Sequence, residues 1–390
     1  MSEQTQTTSK SNRKKYSLII FIFLLTIGIL LFILISPEAK KGNFIDSNDL
    51  EQTTFIATFD SNLPEHKNVI WCATFQIAWD KLKNDIIKEP VDIIDAQDFA
   101  DELNRSEYSP ENLDANSYYA AAGFVQKGII DEVKKEMAKR FPKEPLPVFS
   151  DEYYTLPNSI LTYAYLNANI KFKYPFFAYK EAFSFVNSNN EKTNVTAFCG
   201  QLDEKDRGGN YYKIIEQVQV LYFEHSLDEN SNYFAVDLCK YTEPYQVILA
   251  LIPQKDTFKE MISDVENNIA EYKNEFWSWP DFFDADKLIV PDIFCKFNHH
   301  YKEVLDKKIA NEPLKGYFIF DAMQTIDFSL NKSGVSLKSQ SRLGGMMGGI
   351  LKPRYLYFNR PFLVYAKKRE PGSKPFFAIW IDNAEIMKKF

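Results

Sequence analysis

The sequence predicts an α+β fold built on large mixed β-sheets with a helical N-terminal half. Three observations predict it. Helical apolar periods concentrate in the first half of the chain and strand-like runs in the second, an order that argues against alternating α/β. Phe (33) and Tyr (22) far outnumber Gly (14), a composition suited to pleated surfaces. The chain also closes on two apolar runs, Arg360 to Ala366 and Pro375 to Ile381, with Glu370-Pro371-Gly372-Ser373 between them. That pattern reads as a buried hairpin with a tight turn.

The 390 residues are 45% hydrophobic and 15% aromatic, enough for a sizeable core and too apolar for disorder. Net charge is -7, which reads as a solvated acidic surface. No basic face points to nucleic acid. The four cysteines, Cys72, Cys199, Cys239 and Cys295, are far apart. They lack zinc spacing and are expected to be free, buried thiols.

From the N-terminus, residues 1–15 form a basic tail with Lys10, Arg13, Lys14 and Lys15. Ser17 to Ser36 is apolar and uncharged, the length of a membrane-spanning helix. The span is taken as 16–36, an uncleaved signal-anchor, because the apolar run is long and "ISPEAKK" is a poor cleavage site. Fewer basic residues follow it than precede it, so the N-terminus is expected in the cytoplasm and the remainder outside. The tail contributes +3, leaving -10 for the rest, so the domain should not cling to anionic lipid. Residues 37–60 read as a polar stalk, and 61–390 as one ectodomain.

Within that domain, Asn68 to Asp85 has a helical period: Trp71, Phe75, Ala78, Trp79, Leu82. Residues 120–141 give a short apolar stretch, a glycine and an amphipathic helix. Residues 159–176 are strand-like. Residues 233–241 and 245–253 read as two strands, the second apolar on both faces and therefore central. Thr257 should cap a helix over 257–273. Residues 287–298 read as one strand interrupted by Pro291, with a helix, "HYKEVLDKKI", after it. His299, His300 and Glu303 lie close together but match no common zinc spacing and are read as an exposed helix start. No catalytic constellation, metal site or cofactor fingerprint is found, and no enzyme is expected. Sequons occur at Asn104, Asn194 and Asn331.

From residue 193 onward, the order of segments resembles the serpin family. "TNVTAFCGQ", then "YFAVDLCKY" and "QVILALIPQKDTFKEM", follow the family's strand, strand ending near Leu-Pro, and helix. "DKLIVPDIFCKF" and "AMQTIDFSLNKSG" resemble its later strands, the second running into a reactive loop with Gly334 at the hinge. "YFNRPFLVYAKK" with "PFFAIWIDN" resembles the closing hairpin, with Phe358, Pro361 and Phe362 in its Phe-x-x-Pro-Phe signature. "NVIWCATFQIAWDKL" sits where serpins have an Asn-anchored helix. The match covers roughly residues 60–385, with too few residues between Asp85 and Ser159 for all the usual helices. Departures are Cys72-Ala73-Thr74-Phe75 in place of Ser-Pro-x-Ser, Phe172 in place of a Trp, Gln324 in place of the shutter histidine, and Lys332 in place of the hinge glutamate.

The resemblance implies a loop that a protease cuts and that then inserts as a new strand. Insertion needs one buriable face. Val335, Leu337, Ser339, Ser341 and Leu343 share one parity, with Val335 and Leu337 apolar. The scissile region falls near Met347-Gly348, with Met346 and Arg342 as further candidates. Leu337 is larger than the residue usual there, and Gly344, Gly345, Gly348 and Gly349 raise the entropic cost of ordering. Two functions follow. One is a divergent, non-inhibitory binding or structural module. The alternative is a membrane-anchored inhibitor of serine or cysteine proteases. The partners expected are a membrane through one helix and an extracytoplasmic protease or other protein.

Overall fold

The computed structural model describes residues 44–106, 108–167, 170–201, 209–224, 232–274, 280–312, 314–334 and 353–390. They belong to one compact unit, Phe44–Phe390. The apolar run 17–36 and the loop residues 335–352 lie outside them. Among the described residues no helix is long and apolar enough to cross a membrane.

In chain order the strands are β1 (Ile45–Asp46), β2 (Thr53–Ile56), β3 (Asn68–Cys72), β4 (Tyr118–Phe124), β5 (Ser159–Asn167), β6 (Phe177–Ala178), β7 (Phe183–Val186), β8 (Lys192–Val195), β9 (Ala197–Cys199) and β10 (Gln219–Glu224). They continue as β11 (Tyr233–Asp237), β12 (Tyr245–Leu251), β13 (Lys287–Pro291), β14 (Ile293–His300), β15 (Lys307–Lys308), β16 (Phe318–Leu330), β17 (Tyr355–Tyr357), β18 (Phe362–Lys368) and β19 (Phe377–Ile381). The α-helices are α1 (Ala73–Lys81), α2 (Gln97–Arg105), α3 (Ile129–Arg140), α4 (Tyr211–Glu216) and α5 (Phe258–Asn274).

Two large sheets carry the fold. One runs β1-β14-β16-β5-β4, with β15 also on β16; the other runs β10-β11-β12-β18-β19-β3-β2. A small sheet runs β17-β13-β9-β6, and β7 pairs with β8. The expected closing hairpin is β18 and β19, paired from Phe362↔Ile381 to Ala366↔Phe377. Its turn closes through Ser373 N to Glu370 O at 3.2 Å, with Gly372 at φ 80, a left-handed position that glycine takes without strain. Strand β12 is central, between β11 and β18, as its two apolar faces require.

Side-chain alternation explains the packing of the first sheet. Leu161, Tyr163 and Tyr165 face Ile129, Ile130, Val133 and Met137 of α3. Ala164 and Leu166, of opposite parity, join the core shared with the second sheet. Phe258, Met261, Ile262, Val265 and Ile269 form one buried stripe on α5, the spacing of a helix face. Thr257 Oγ1 accepts from Glu260 N at 3.2 Å, so the expected N-cap is in place.

Several expectations are corrected. Residues 68–72 are strand β3, and the helix begins at Ala73; the second sheet needs an inner strand there, between β19 and β2. The single strand expected over 287–298 is two, β13 and β14, in different sheets with Asp292 between. No helix follows His300: the chain turns and pairs as β15, Lys307↔Ile319. The first half is not mainly helical, since it holds β1 to β8, and the longest helix among the described residues, α5, lies in the second half. Residues 44–60, read as part of a stalk, contribute β1 and β2, parallel to β14 and β3. The four cysteines are free and buried, as expected.

Candidate functional site

Strands β5 and β16 are parallel neighbours, in register from Phe318↔Ser159 to Asp327↔Asn167, with a shift between Ile319 and Asp321. Their pairing forms a seam inside the first large sheet. All of β5 except Asn167 is buried. The seam is closed along its length.

A buried latch lies behind it. Gln324 on β16 is 1% exposed. Its Nε2 donates to the Cys72 carbonyl oxygen and to Thr74 Oγ1, both at 3.0 Å. Its Oε1 accepts from the Tyr301 hydroxyl at 2.9 Å. Tyr301 in turn stacks on Phe75, with ring centroids 3.7 Å apart. A fully satisfied buried amide therefore ties the sheet to the start of α1. Burial raises the Tyr301 hydroxyl well above its ordinary value, and places Cys72 at about 12. Both stay protonated.

Beyond β16 the chain turns at once. Asn331 Oδ1 accepts from Ser333 N at 2.9 Å, and Asn331 O accepts from Gly334 N at 3.1 Å. Lys332 O accepts from Phe176 N at 2.8 Å. Gly334 has φ 27. A Cβ there would overlap the Phe172 ring and lie 2.5 Å from the Phe172 backbone nitrogen. Phe172 is itself wedged edge-on against Phe176 at 4.8 Å and tilted on Phe198 at 6.1 Å. The loop base is thus bent and seated on an aromatic cluster.

The far end of the loop is anchored too. Arg354 is 5% exposed and Asp286 1%. Arg354 Nη2 meets Asp286 Oδ2 at 2.7 Å, and Arg354 N donates to Asp286 Oδ1 at 2.9 Å. Strand β17 then pairs in parallel with β13, Lys287↔Tyr355 to Ile289↔Tyr357.

Of the residues singled out from sequence, Gly334 lies at this loop base. Val335, Leu337, Ser339, Ser341, Arg342, Met346, Met347 and Gly348 lie outside the described residues. Phe358 and Phe362 are fully buried, 5.0 Å apart between ring centroids, with Pro361 half-buried at the start of β18. They are core, not contact surface. His299 and His300 are not a helix start but consecutive residues of β14, so they point to opposite faces. His299 shares a 2.8 Å hydrogen bond with Ser47, and His300 a 2.7 Å one with Asp321. Among the described residues no group of three His, Cys, Asp or Glu could hold a metal.

Sequence reasoning flagged Gln324, Phe172 and Lys332 only as departures from the family pattern. Thr74 too appeared only within the departure Cys72-Ala73-Thr74-Phe75, and Tyr301, Asp286 and Arg354 were missed. Arg354, a charge before an aromatic strand, was the one visible signal.

No protein-family model matches the sequence, and no curated protein matches it. Solved serpins are similar to it over most of its length. Protease nexin-1, solved with heparin, aligns at TM-score 0.47 and 11% identity over 82% of this chain and 93% of that one. Serpin48 of the insect Tenebrio molitor aligns at 0.42 and 12%, over 81% and 92%. Thyroxine-binding globulin in complex with thyroxine aligns at 0.46 and 10%, over 81% and 93%.

Proposed function

We propose that this chain displays a serpin-like domain on the outer side of a membrane, where it serves as a non-inhibitory binding or structural module. The observation that carries this reading is the seat of Gly334 on Phe172. Insertion of residues 335–352 between β5 and β16 would require the loop base to straighten. The Asn331 turn and the Lys332–Phe176 bond would break, and the closed seam would part at Gln324. Leu337 adds a packing cost of about 1–3 kcal/mol. The glycine-rich tip adds an entropic one. The apolar run 17–36 and the basic tail before it support the anchor and its orientation.

The alternative, an inhibitor of serine or cysteine proteases, has one favourable feature. Strands β5 and β16 are parallel, and β16 leads straight into the loop. A loop folding back from β16 would run antiparallel to both.

The test is to cut the full-length protein once between Gly344 and Gly349 and measure thermal melting before and after. The module reading expects unchanged melting and no SDS-stable adduct across a panel of serine and cysteine proteases. A rise of tens of degrees with a covalent adduct would establish the inhibitor instead. Protease shaving of intact cells should remove the domain; protection from outside would overturn the orientation.

A further inference from the structure

We propose that residues 44–56 form an acid-released clasp, which fastens the edge of the first sheet to the second and lets go when His299 takes up a proton. The clasp has two halves. In the first, β1 pairs with the edge strand β14, Ile45↔Phe297 and Asp46↔Asn298. Ser47 Oγ and His299 Nδ1 share a 2.8 Å hydrogen bond. Phe55 stacks on the His299 ring at 4.3 Å, with 10° between planes, and meets Phe297 edge-on at 5.8 Å. In the second half, one carboxylate holds the chain to the C-terminal segment. Glu385 accepts from Glu51 N at 2.8 Å, Gln52 N at 3.0 Å and Thr53 Oγ1 at 2.6 Å. Strand β2 then joins β3, Thr53↔Asn68 to Ile56↔Trp71.

His299 sits where the two halves meet. Phe55 covers one face, and Tyr301 lies edge-on at 4.5 Å between centroids. The charged groups around it are His300 and Lys302 on its own segment and Asp46 on the clasp. His300 is paired with Asp321 and so favours its own proton. His299 is half-buried under the Phe55 ring, and a second cation there lies next to one imidazolium and one ammonium, with only Asp46 opposing them. Stacking on Phe55 offsets a part of that cost. Burial, and then His300, lower the His299 pKa to about 3.

The direction of pH dependence follows. With the clasp open, His299 titrates near its ordinary value of about 6.5. A depressed value in the closed state means that closure is fully favoured above that pH and is lost as pH falls below it. The opening constant should rise about tenfold per pH unit, or about 30-fold between pH 6.5 and 5.0.

The test is hydrogen exchange by mass spectrometry on the full-length protein in lipid nanodiscs, corrected for intrinsic exchange, at pH 7.5, 6.5, 5.5 and 5.0. Amides of 45–56 and 297–298 should show the 30-fold rise in opening while those of β12 do not. His299→Gln, which keeps a hydrogen-bonding side chain but cannot titrate, should flatten the profile. Wild-type clasp amides no more pH-dependent than β12, or an unchanged slope in His299→Gln, would overturn the proposal. Histidine C2-hydrogen exchange on the unmodified chain needs no variant. A His299 ring titrating near pH 6.5 in the closed state would overturn it equally.

Discussion

Gln324 on β16 donates a 3.0 Å hydrogen bond to the carbonyl oxygen of Cys72, the last residue of β3. That one bond joins a strand of the first large sheet to a strand of the second, across residues 252 positions apart. The same amide serves Thr74 and Tyr301. Replacing Gln324 with Leu leaves three buried polar groups without this partner. We expect a loss of about 2–3 kcal/mol, read as a lower denaturant midpoint with an unchanged slope. A variant as stable as the parent would show that the latch is dispensable.

Gly334→Ala should disturb the loop base. The new Cβ meets the Phe172 ring and backbone, and φ 27 is an unfavourable angle for alanine. The expected cost is about 1–3 kcal/mol, together with faster nicking within 335–352. Phe172→Ala in the same chain should recover part of it, because the ring clash goes while the backbone contact stays. Purely additive effects in the double variant would contradict this packing.

Asp286 and Arg354 form a buried pair at 2.7 Å, where the chain returns from the loop. Arg354→Leu strands a carboxylate that is 1% exposed. A loss of about 3–5 kcal/mol is expected. Asp286→Leu combined with Arg354→Leu should cost less than the worse single change. Chemical denaturation of the three variants decides it, and equal losses in all three would show that the charge pair itself is not the source.

The thiols should be inert in the folded protein. Burial pushes Cys72 up to about 12 and Cys199 up to about 11, and raises Cys239 and Cys295 as well. At pH 8 a thiol at 12 is ionised in about one molecule in ten thousand. A thiol reagent such as Ellman's should label the chain slowly before denaturation and at four sites after it. Rapid labelling of the native chain at pH 8 would contradict the burial.

Much of the second half of the fold was legible in the sequence, because strand alternation, turn residues and caps are local. Gly372 at its turn, Thr257 at its cap and the doubly apolar run of β12 each depend on neighbours within a few residues. The two errors at 68–72 and 300–309 share a cause. Trp71 and Phe75 fit a helical period, and "HYKEVLDKKI" has helix-forming residues, yet sheet pairing with β19 and β16 overrode both preferences.

What the sequence determined by itself was the α+β class, the closing hairpin, the buried thiols and the order of segments that resembles serpins. The tertiary structure alone decided which strands share a seam, that residues 44–56 belong to the sheets, and that Gln324, Tyr301 and Cys72 meet. It also paired Arg354 with Asp286 and split His299 from His300. The reason is physical. Propensity, capping and alternation act over a few residues of chain, whereas a hydrogen bond or a ring contact between distant segments depends on the packing of whole sheets, and no local pattern encodes it.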